Sequence, residues 1–491
     1  MQALAEAGQR QRTLEALRGI RPALHVVADD EGLKPFETDA FIQRRETPML
    51  AALPETEAQV QAIVSACRSL GVPVVSRGAG TGISGGAIPR RDGVLLVLSR
   101  MTRVVDIDPL GRSATVEPGV RNLHVSDVAA PHGLFYAPDP SSQSVCSIGG
   151  NVAENAGGIH CLKYGLTTHN LLAVRAVDAD GEVVEAGARS LDAPGYDLLA
   201  LLTGSEGNLG VITQAVVRLL PLPERVETLL GTFASVREAA GAVGEIIGAG
   251  IVPAALEMMD RTVIEACERC WSLGFPPGAE ALLLAEVDGG AEEAQGALEA
   301  VRSIMQRCGA SDVRVASDPV ERERLWKARK GAFTALASIL PDYYTIDGTI
   351  PRRSLPEVLD NVYALASEYA LTVGNVFHAG DGNIHPCIFY DANKPGDLER
   401  AEELGGRILE HCVEVGGTIT GEHGVGVEKL RQMCVQFRPG EIGAFHDVKR
   451  AFDPEGILNP GKAVPTLKRC AEWGGMHVHG GHIPHPGIPR F

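Results

Sequence analysis

The sequence predicts an α+β chain of two or three domains, and three observations carry that prediction. At 491 residues the chain is long enough to bury more than one core. Its first half sets short apolar runs of β type between glycine-rich loops. Its second half mixes such runs with stretches of amphipathic helical spacing and closes on three helical segments.

In order along the chain, a helix-rich leader runs to about residue 53. Pro54-Glu55-Thr56-Glu57 then opens an amphipathic helix to about residue 70, with proline in its first turns and acids at its positive end. A short apolar strand over 72–76 leads into a glycine loop, 77–89. Residues 94–98, 104–107 and 114–117 read as strands and 120–132 as a helix. After a second glycine- and asparagine-rich stretch, 138–158, strands are expected at 172–177 and 183–185, then at 198–202, and after a glycine turn at 211–219. The proline-rich 220–224 marks a boundary. Beyond it lie strands at 229–233, 255–258, 281–287 and 372–377, and helices at 236–248, 292–308, 322–339, 354–369, 398–415, 428–437 and 440–452.

Composition excludes several classes. The net charge of −17, from 45 basic and 62 acidic residues, argues against a phosphate-binding nucleic-acid face. No run approaches the ~18 apolar residues of a membrane span, and the N-terminus lacks an apolar signal core, so a cytoplasmic location is expected. The ten cysteines are scattered; the one C-x-x-C, Cys267 to Cys270, sits in a helical pattern and reads as structural thiols. No iron–sulfur pattern is present, so electrons leaving this chain must go elsewhere.

Gly80-Thr81-Gly82-Ile83-Ser84-Gly85 follows a strand and matches GxGxxG, which invites a nicotinamide-binding reading. That fingerprint must open a helix whose N-terminus receives the pyrophosphate. Here the loop runs on through Gly86 and Pro89 into another strand, and the helix lies before the first strand instead. What remains is a loop of Gly78, Gly80, Gly82, Gly85 and Gly86, whose amides can approach an anion closely. CSIGGNVAENAGG adds Gly149, Gly150, Asn151, Asn155, Gly157 and Gly158, and TGSEGNLGVIT adds Gly204, Glu206, Gly207 and Gly210. Three such motifs within about 140 residues point to one large phosphate-bearing cofactor.

PVVSRGAGTGISGGAIP, PDPSSQSVCSIGGNVAENAGG, KYGLTTHNLL and LLTGSEGNLGVIT together resemble the FAD domain of the vanillyl-alcohol oxidase/p-cresol methylhydroxylase superfamily. The resemblance implies a two-part FAD-binding domain of the p-cresol methylhydroxylase type, an α+β substrate or cap domain and a helical C-terminal segment. On this chain the divisions are 1–53 for the helical leader, 54–224 for FAD, 225–427 for the cap with the metal site, 428–465 for the helices returning to the FAD domain, and 466–491 for the tail. The first loop (Arg77, Gly78, Gly80, Thr81, Gly82) is expected to hold the pyrophosphate. Pro138, Asp139, Ser147, Gly149, Gly150, Asn151, Asn155, Gly157, Gly158 and Tyr164 are expected along the ring and ribityl parts, with Gly207, Ile212 and Asn459. Some members tether FAD through a histidine near the position of Thr81; its replacement implies non-covalent FAD.

A second constellation lies downstream. His378-Ala-Gly-Asp381-Gly-Asn383-Ile-His385 places two histidines around a glycine turn, and Thr420-Gly421-Glu422-His423-Gly424 sets a carboxylate beside an imidazole. Two histidines and a glutamate are the ligand set of an open catalytic zinc site, and manganese or iron suits the same ligands. Asp381 competes as a ligand, but between two glycines it is suited to shaping the turn.

With the flavin motifs, HAGDGNIH and TGEHGVG resemble the D-lactate, D-2-hydroxyglutarate and glycolate dehydrogenase branch. That resemblance makes His378, His385 and Glu422 the metal ligands, His423 the base, and Arg329 of LWKARKGAF the partner of the substrate carboxylate. DYYTIDGTIPRR and the tail AEWGGMHVHGGHIPHP resemble, within that branch, the FAD-linked subunits of bacterial glycolate oxidases. Glycolate oxidation to glyoxylate is then expected, with D-lactate or D-2-hydroxyglutarate as alternatives. Relatives acting on the dicarboxylate place a Thr and a Lys where this chain has Phe333 and Thr345, which favours a small, uncharged pocket. The implied partners are a flavin-type subunit and an iron–sulfur subunit that pass electrons to quinone, with only peripheral membrane contact. Tail histidines 477, 479, 482 and 485 could touch a partner or bind metal incidentally. A redox-silent metallohydrolase and a scaffold with idle FAD are the competing classes.

Overall fold

The computed structural model describes residues 2–190 and 195–466. The tail histidines lie outside the described residues. The chain forms two compact units: Met1–Ala156, Leu166–Pro221 and His423–Phe491 make the first, and Gly157–Gly165 with Leu222–Glu422 the second.

The first unit holds two larger sheets and a two-stranded pairing of Leu134–Phe135 with Leu220–Pro221. One has four strands in the order His25–Val27, Leu50–Leu53, Val94–Val97, Val74–Arg77; the last three run parallel, and the first is antiparallel to its neighbour. The leader is therefore not purely helical. After the helix Gln2–Gly19 it contributes two strands, too short for either periodicity to register in the sequence. The helix Glu57–Ser69 buries Val60, Ile63, Val64 and Cys67 at helical spacing. Its N-cap is Thr56, whose side chain accepts from the Gln59 amide, so Pro54 precedes the helix. It lies before the strand Val74–Arg77, and no helix follows in 78–93, an order opposite to that of a nucleotide-binding βα unit.

The other sheet has five antiparallel strands in the order Val104–Asp108, Ser113–Val116, Val211–Arg218, Leu171–Val177, Val183–Gly187. Residues Leu198–Leu202, expected among the strands, are a short helix instead: Asp197 caps it by accepting from the Ala200 amide. A further helix, Ile148–Glu154, forms inside the second glycine motif, where Ser147 caps the Gly150 amide. The chain's last described stretch returns to the four-stranded sheet, the Asn459 amide donating to the carbonyl of Val74 at 2.8 Å.

The second unit is built on a nine-stranded sheet with antiparallel pairing throughout. At its centre, Ala281–Gly289 pairs with Arg225–Phe233 and Ala255–Asp260, and Ala255–Asp260 pairs with Thr372–His378. Helices Arg261–Trp271 and Pro319–Leu336 cover this sheet, burying Val263, Ile264, Cys267, Leu325, Ala328 and Leu336 in one cluster. Cys267 is thus a core thiol, pushed up to about 12 by burial, and Cys270 is exposed. Among the described residues no helix is long and apolar enough to cross a membrane.

Candidate functional site: a cofactor cradle and a metal centre

In the first unit the three glycine motifs converge. A Cβ on Gly78 would stand 2.2 Å from Ser147 Oγ, and one on Gly207 2.4 Å from Ser76 Oγ, so each loop meets its neighbour at backbone distance. Arg77, at the end of its strand, donates to the Thr38 carbonyl at 2.6 Å, and its guanidinium lies over Gly80. Thr81 is half-buried beside Gly82, around which no heavy atom would meet a Cβ within 4 Å. Gly149 lies against Pro118, and Asn151 accepts from Asn122, whose amide also donates to the Pro138 carbonyl next to buried Asp139. Asn155 ends its helix in the left-handed region and accepts from the Thr168 amide at 2.9 Å. Ile212 is buried in its strand.

Asn459 closes this cradle. Its Nδ2 donates to the carbonyls of Gly86 (3.0 Å) and Glu206 (2.6 Å), and its buried Oδ1 has no donor among the described residues. A buried acceptor without a donor fits a ring N–H or hydroxyl of a cofactor. Lys462, buried so that its amine is pushed down to about 7 despite nearby Asp39, Glu206 and Glu154, donates to the carbonyls of Gly86 and Ile88. Glu206 accepts from the amides of Val425 and Gly426, both at 2.7 Å, and so fixes the loop that follows half-buried His423. Burial, and then the charge of Glu206, pushes the carboxyl of Glu154 well above its ordinary range.

Gly157, Gly158 and Tyr164, read together with these motifs in the sequence, belong to the second unit. There Tyr164 donates to Asp288 Oδ2 at 2.5 Å, Lys163 pairs with Asp288 Oδ1 at 2.5 Å, and His160 lies 3.2 Å from Glu286. The other oxygen of Glu286 accepts from Trp326 Nε1 at 2.6 Å.

The second unit also gathers the metal constellation. His378 ends the strand Thr372–His378, His385 follows the glycine turn, and Glu422 closes the unit; their ligand atoms lie within 4.8 Å of one another. Both imidazole Nε2 atoms stand 3.2 Å from Glu422 Oε1, and the two rings meet edge to face. His378 Nδ1 is 2.9 Å from Glu257 Oε1, and His385 Nδ1 is 3.2 Å from the Ile346 carbonyl. Carboxylate and carbonyl oxygens only accept, so each Nδ1 carries its proton, and a neutral ring then turns a lone pair from Nε2 toward an anionic carboxylate. Positive charge between them resolves the conflict. Burial alone would raise Glu422 and lower His378. The contacts of both histidines nevertheless hold Glu422 well below the carboxylate range, and Glu257 with Glu422 raises His378 well above its ordinary value. A divalent cation would supply the same positive charge, and the donor set fits it.

Around this centre stand residues that sequence motifs did not reveal. Asp347, wholly buried, accepts from Thr420 Oγ1 (2.6 Å), Asn383 Nδ2 (2.8 Å) and the Gly421 amide (3.0 Å), tying the loop of Glu422 to the turn before His385. Glu257 accepts from Arg329 Nε at 2.6 Å; both side chains are 1% exposed, and Arg329 Nη1 has no acceptor among the described residues. The signal available in the sequence was a lone carboxylate inside the apolar run AALEMM. Asp381 Oδ1 accepts from the Asn383 amide and shapes the turn; burial pushes its carboxyl up to about 6. Phe333 is half-buried against the core, and Thr345 meets Cys387 Sγ at 3.7 Å.

Comparison with known proteins agrees with this architecture. Residues 48–187 match the FAD binding domain family, and residues 222–463 match the C-terminal domain of FAD linked oxidases. A glycolate oxidase subunit GlcD from Escherichia coli K12 is 57% identical over 98% of this chain and 97% of its own. GlcD of Bacillus subtilis is 37% identical over 87% and 91%. Among solved structures, p-cresol methylhydroxylase with substrate bound superposes with a TM-score of 0.78 at 18% identity, over 94% of this chain and 98% of that one. The fold is therefore the paired FAD-binding and α+β cap architecture of the vanillyl-alcohol oxidase/p-cresol methylhydroxylase superfamily. Within it, the chain belongs to the GlcD family of FAD-linked 2-hydroxy-acid dehydrogenases.

Proposed function

We propose that this chain oxidises glycolate to glyoxylate, with FAD held non-covalently in the first unit and a divalent metal, zinc foremost, held by His378, His385 and Glu422. The observation that supports it most is the convergence of that triad, together with the buried Glu257–Arg329 pair, in a chain 57% identical to a glycolate oxidase subunit. When bound, FAD supplies the two-electron acceptor, and the metal supplies a positive charge that favours loss of the substrate hydroxyl proton.

The residues of the chain do the rest. Arg329, held at Nε by Glu257, offers Nη1 to the substrate carboxylate. His423 takes the hydroxyl proton on an imidazole nitrogen, a group poised near neutral pH. Phe333 and Thr345 offer no cation for a second carboxylate, which favours glycolate, and after it D-lactate, over a dicarboxylate. The chain carries no iron–sulfur pattern of its own. Its electrons pass to a flavin-type and an iron–sulfur partner subunit and on to quinone, from a cytoplasmic or peripheral position at the membrane.

Anaerobic mixing with a panel of 2-hydroxy acids tests this. Glycolate should bleach the visible flavin band fastest, D-lactate more slowly and D-2-hydroxyglutarate hardly at all, and prior chelation should abolish bleaching. Bleaching that survives chelation would remove the metal from the mechanism, and a dicarboxylate preference would remove glycolate.

A further inference from the structure

The Glu257 carboxylate stands between the two halves of the proposed chemistry. It lies on the strand Ala255–Asp260, directly opposite His378 in the register with Thr372–His378. One oxygen, Oε1, is 2.9 Å from His378 Nδ1; the other, Oε2, is 2.6 Å from Arg329 Nε. Arg329 Nη2 also approaches His378 Nδ1, at 3.4 Å. The shorter, charge-assisted contact to Glu257 outweighs it, so Nδ1 donates to the carboxylate.

We propose that Glu257 is a positioning residue that sets the tautomer of His378 for metal binding and the pose of Arg329 for the substrate carboxylate at the same time. The inference rests on the reading of His378, His385 and Glu422 as a metal centre. A carboxylate is the only side-chain group here that can satisfy both neighbours. Arg329 Nε is a donor and needs an acceptor; His378 Nδ1 must also be a donor if Nε2 is to keep its lone pair for a metal. An amide has one acceptor and one donor end. Turned with its oxygen to Arg329, it presents N–H to His378, forcing the proton to Nε2 and blocking that ligand. Turned the other way, it sets N–H against N–H at Arg329. Because the charged guanidinium holds an oxygen more strongly, the first orientation prevails and the metal is what suffers.

The test compares Glu257→Gln and Glu257→Asp with the parent and with His385→Ala, all loaded with FAD and stripped of metal. Zinc titration calorimetry should show the Gln variant weakened on the order of 10- to 100-fold, the loss typical of a lost partner behind a ligand histidine. Flavin content should be unchanged. The Asp variant keeps the charge and both acceptors on a side chain one methylene shorter, so it should bind zinc better than Gln and less well than the parent. With zinc saturating, the KM for glycolate should rise in both variants by a larger factor than kcat falls, a split that a general loss of packing would not produce. A Gln variant that binds zinc as the parent does, while His385→Ala has lost binding, overturns the role of Glu257. So does an Asp variant equal to the parent in both zinc affinity and KM, a comparison that holds even where Gln fails to fold. If His385→Ala binds zinc like the parent, the metal centre itself is wrong and this inference falls with it.

Discussion

His423 sits at a junction of the chain: Glu422 before it closes the second unit, and Gly424 after it belongs to the first. Gly424 is in the left-handed region (φ 81°), and a Cβ there would stand 2.3 Å from Glu154 Oε2 and 3.0 Å from Glu206 Oε1. The residue after the proposed base therefore has no room for a side chain, and Glu206 pins the two amides that follow it. Such a support fixes the backbone of His423 without using its ring. Replacing His423 by Ala should accordingly leave flavin and zinc content intact and lower glycolate turnover by about 100- to 10,000-fold. Stopped-flow flavin reduction reads the chemical step directly, and a variant that reduces its flavin at the parental rate would take the base role away from His423. At this scale the sequence was informative where chemistry is local. Adjacent Glu422 and His423, and the histidines flanking a glycine turn, announce themselves within eight residues. Glu257 did not, because its meaning comes from a strand pairing with His378, 121 positions away.

Between elements, long-range polar contacts fix how helices meet sheets. In the first unit, Arg175 on the strand Leu171–Val177 holds both oxygens of Glu57, at 3.1 and 2.9 Å, and Thr213 of the adjoining strand Val211–Arg218 donates to the same carboxylate at 2.7 Å. The helix Glu57–Ser69 is thus fastened by its first turn to the five-stranded sheet. The Arg175 hydrogen bonds hold Glu57 below its ordinary 4.5, against a smaller opposing effect of burial. A carboxyl whose folded value is depressed contributes stability that is present above its unfolded value and lost as pH falls through the folded one. Glu57→Gln should therefore cost about 1 kcal/mol at neutral pH, a modest figure because both partners are partly solvated. The gap between parent and variant should close as pH falls below the ordinary 4.5 and through the depressed folded value. Chemical unfolding across that range checks it, and a pH-independent gap would mean that packing, not charge, fastens the helix. Elements with long apolar periodicity were readable in the sequence to within a few residues: 236–248 was expected and Val236–Gly248 is found. Strands as short as His25–Val27 and the helix Leu198–Leu202 were not, since three to five residues carry no period and a single cap or pairing decides them.

For the molecule as a whole, the cofactor is part of the fold's stability. Three loops with little side-chain volume, meeting at Gly78, Ser147, Ser76 and Gly207, leave the Oδ1 of Asn459 to be satisfied by a ligand. Non-covalent binding of FAD, as proposed for a chain with Thr81 in place of a tethering histidine, requires that ligand to exchange with solution. Added FAD should then raise the melting temperature of flavin-depleted protein progressively, by the equivalent of about 2.7 kcal/mol at a hundredfold excess over Kd. Acid precipitation should leave the flavin in the supernatant. Flavin that stays with the pellet would show a covalent link. The fold class was legible because glycine loops between strands are local features, and the rejection of a nucleotide-binding βα reading needed only the order of one helix and one strand.

The excursion Gly157–Gly165 bears on how this protein can be taken apart. The chain passes from one unit to the other at 156/157, 165/166, 221/222 and 422/423, four crossings in all. Neither unit is a contiguous stretch of gene, so truncation at the proline-rich 220–224 yields no self-sufficient module. A fragment beginning at residue 222 would lack the nine residues in which Lys163 pairs with Asp288, Tyr164 donates to it and His160 meets Glu286. Asp288 would then lose its ion pair in a core strand, and Glu286 would rest on its bonds from Trp326 and Thr228. Domain exchange between relatives must carry that nine-residue strap along with the cap. Shuffling at the apparent boundary instead produces chimaeras whose defect lies far from the splice.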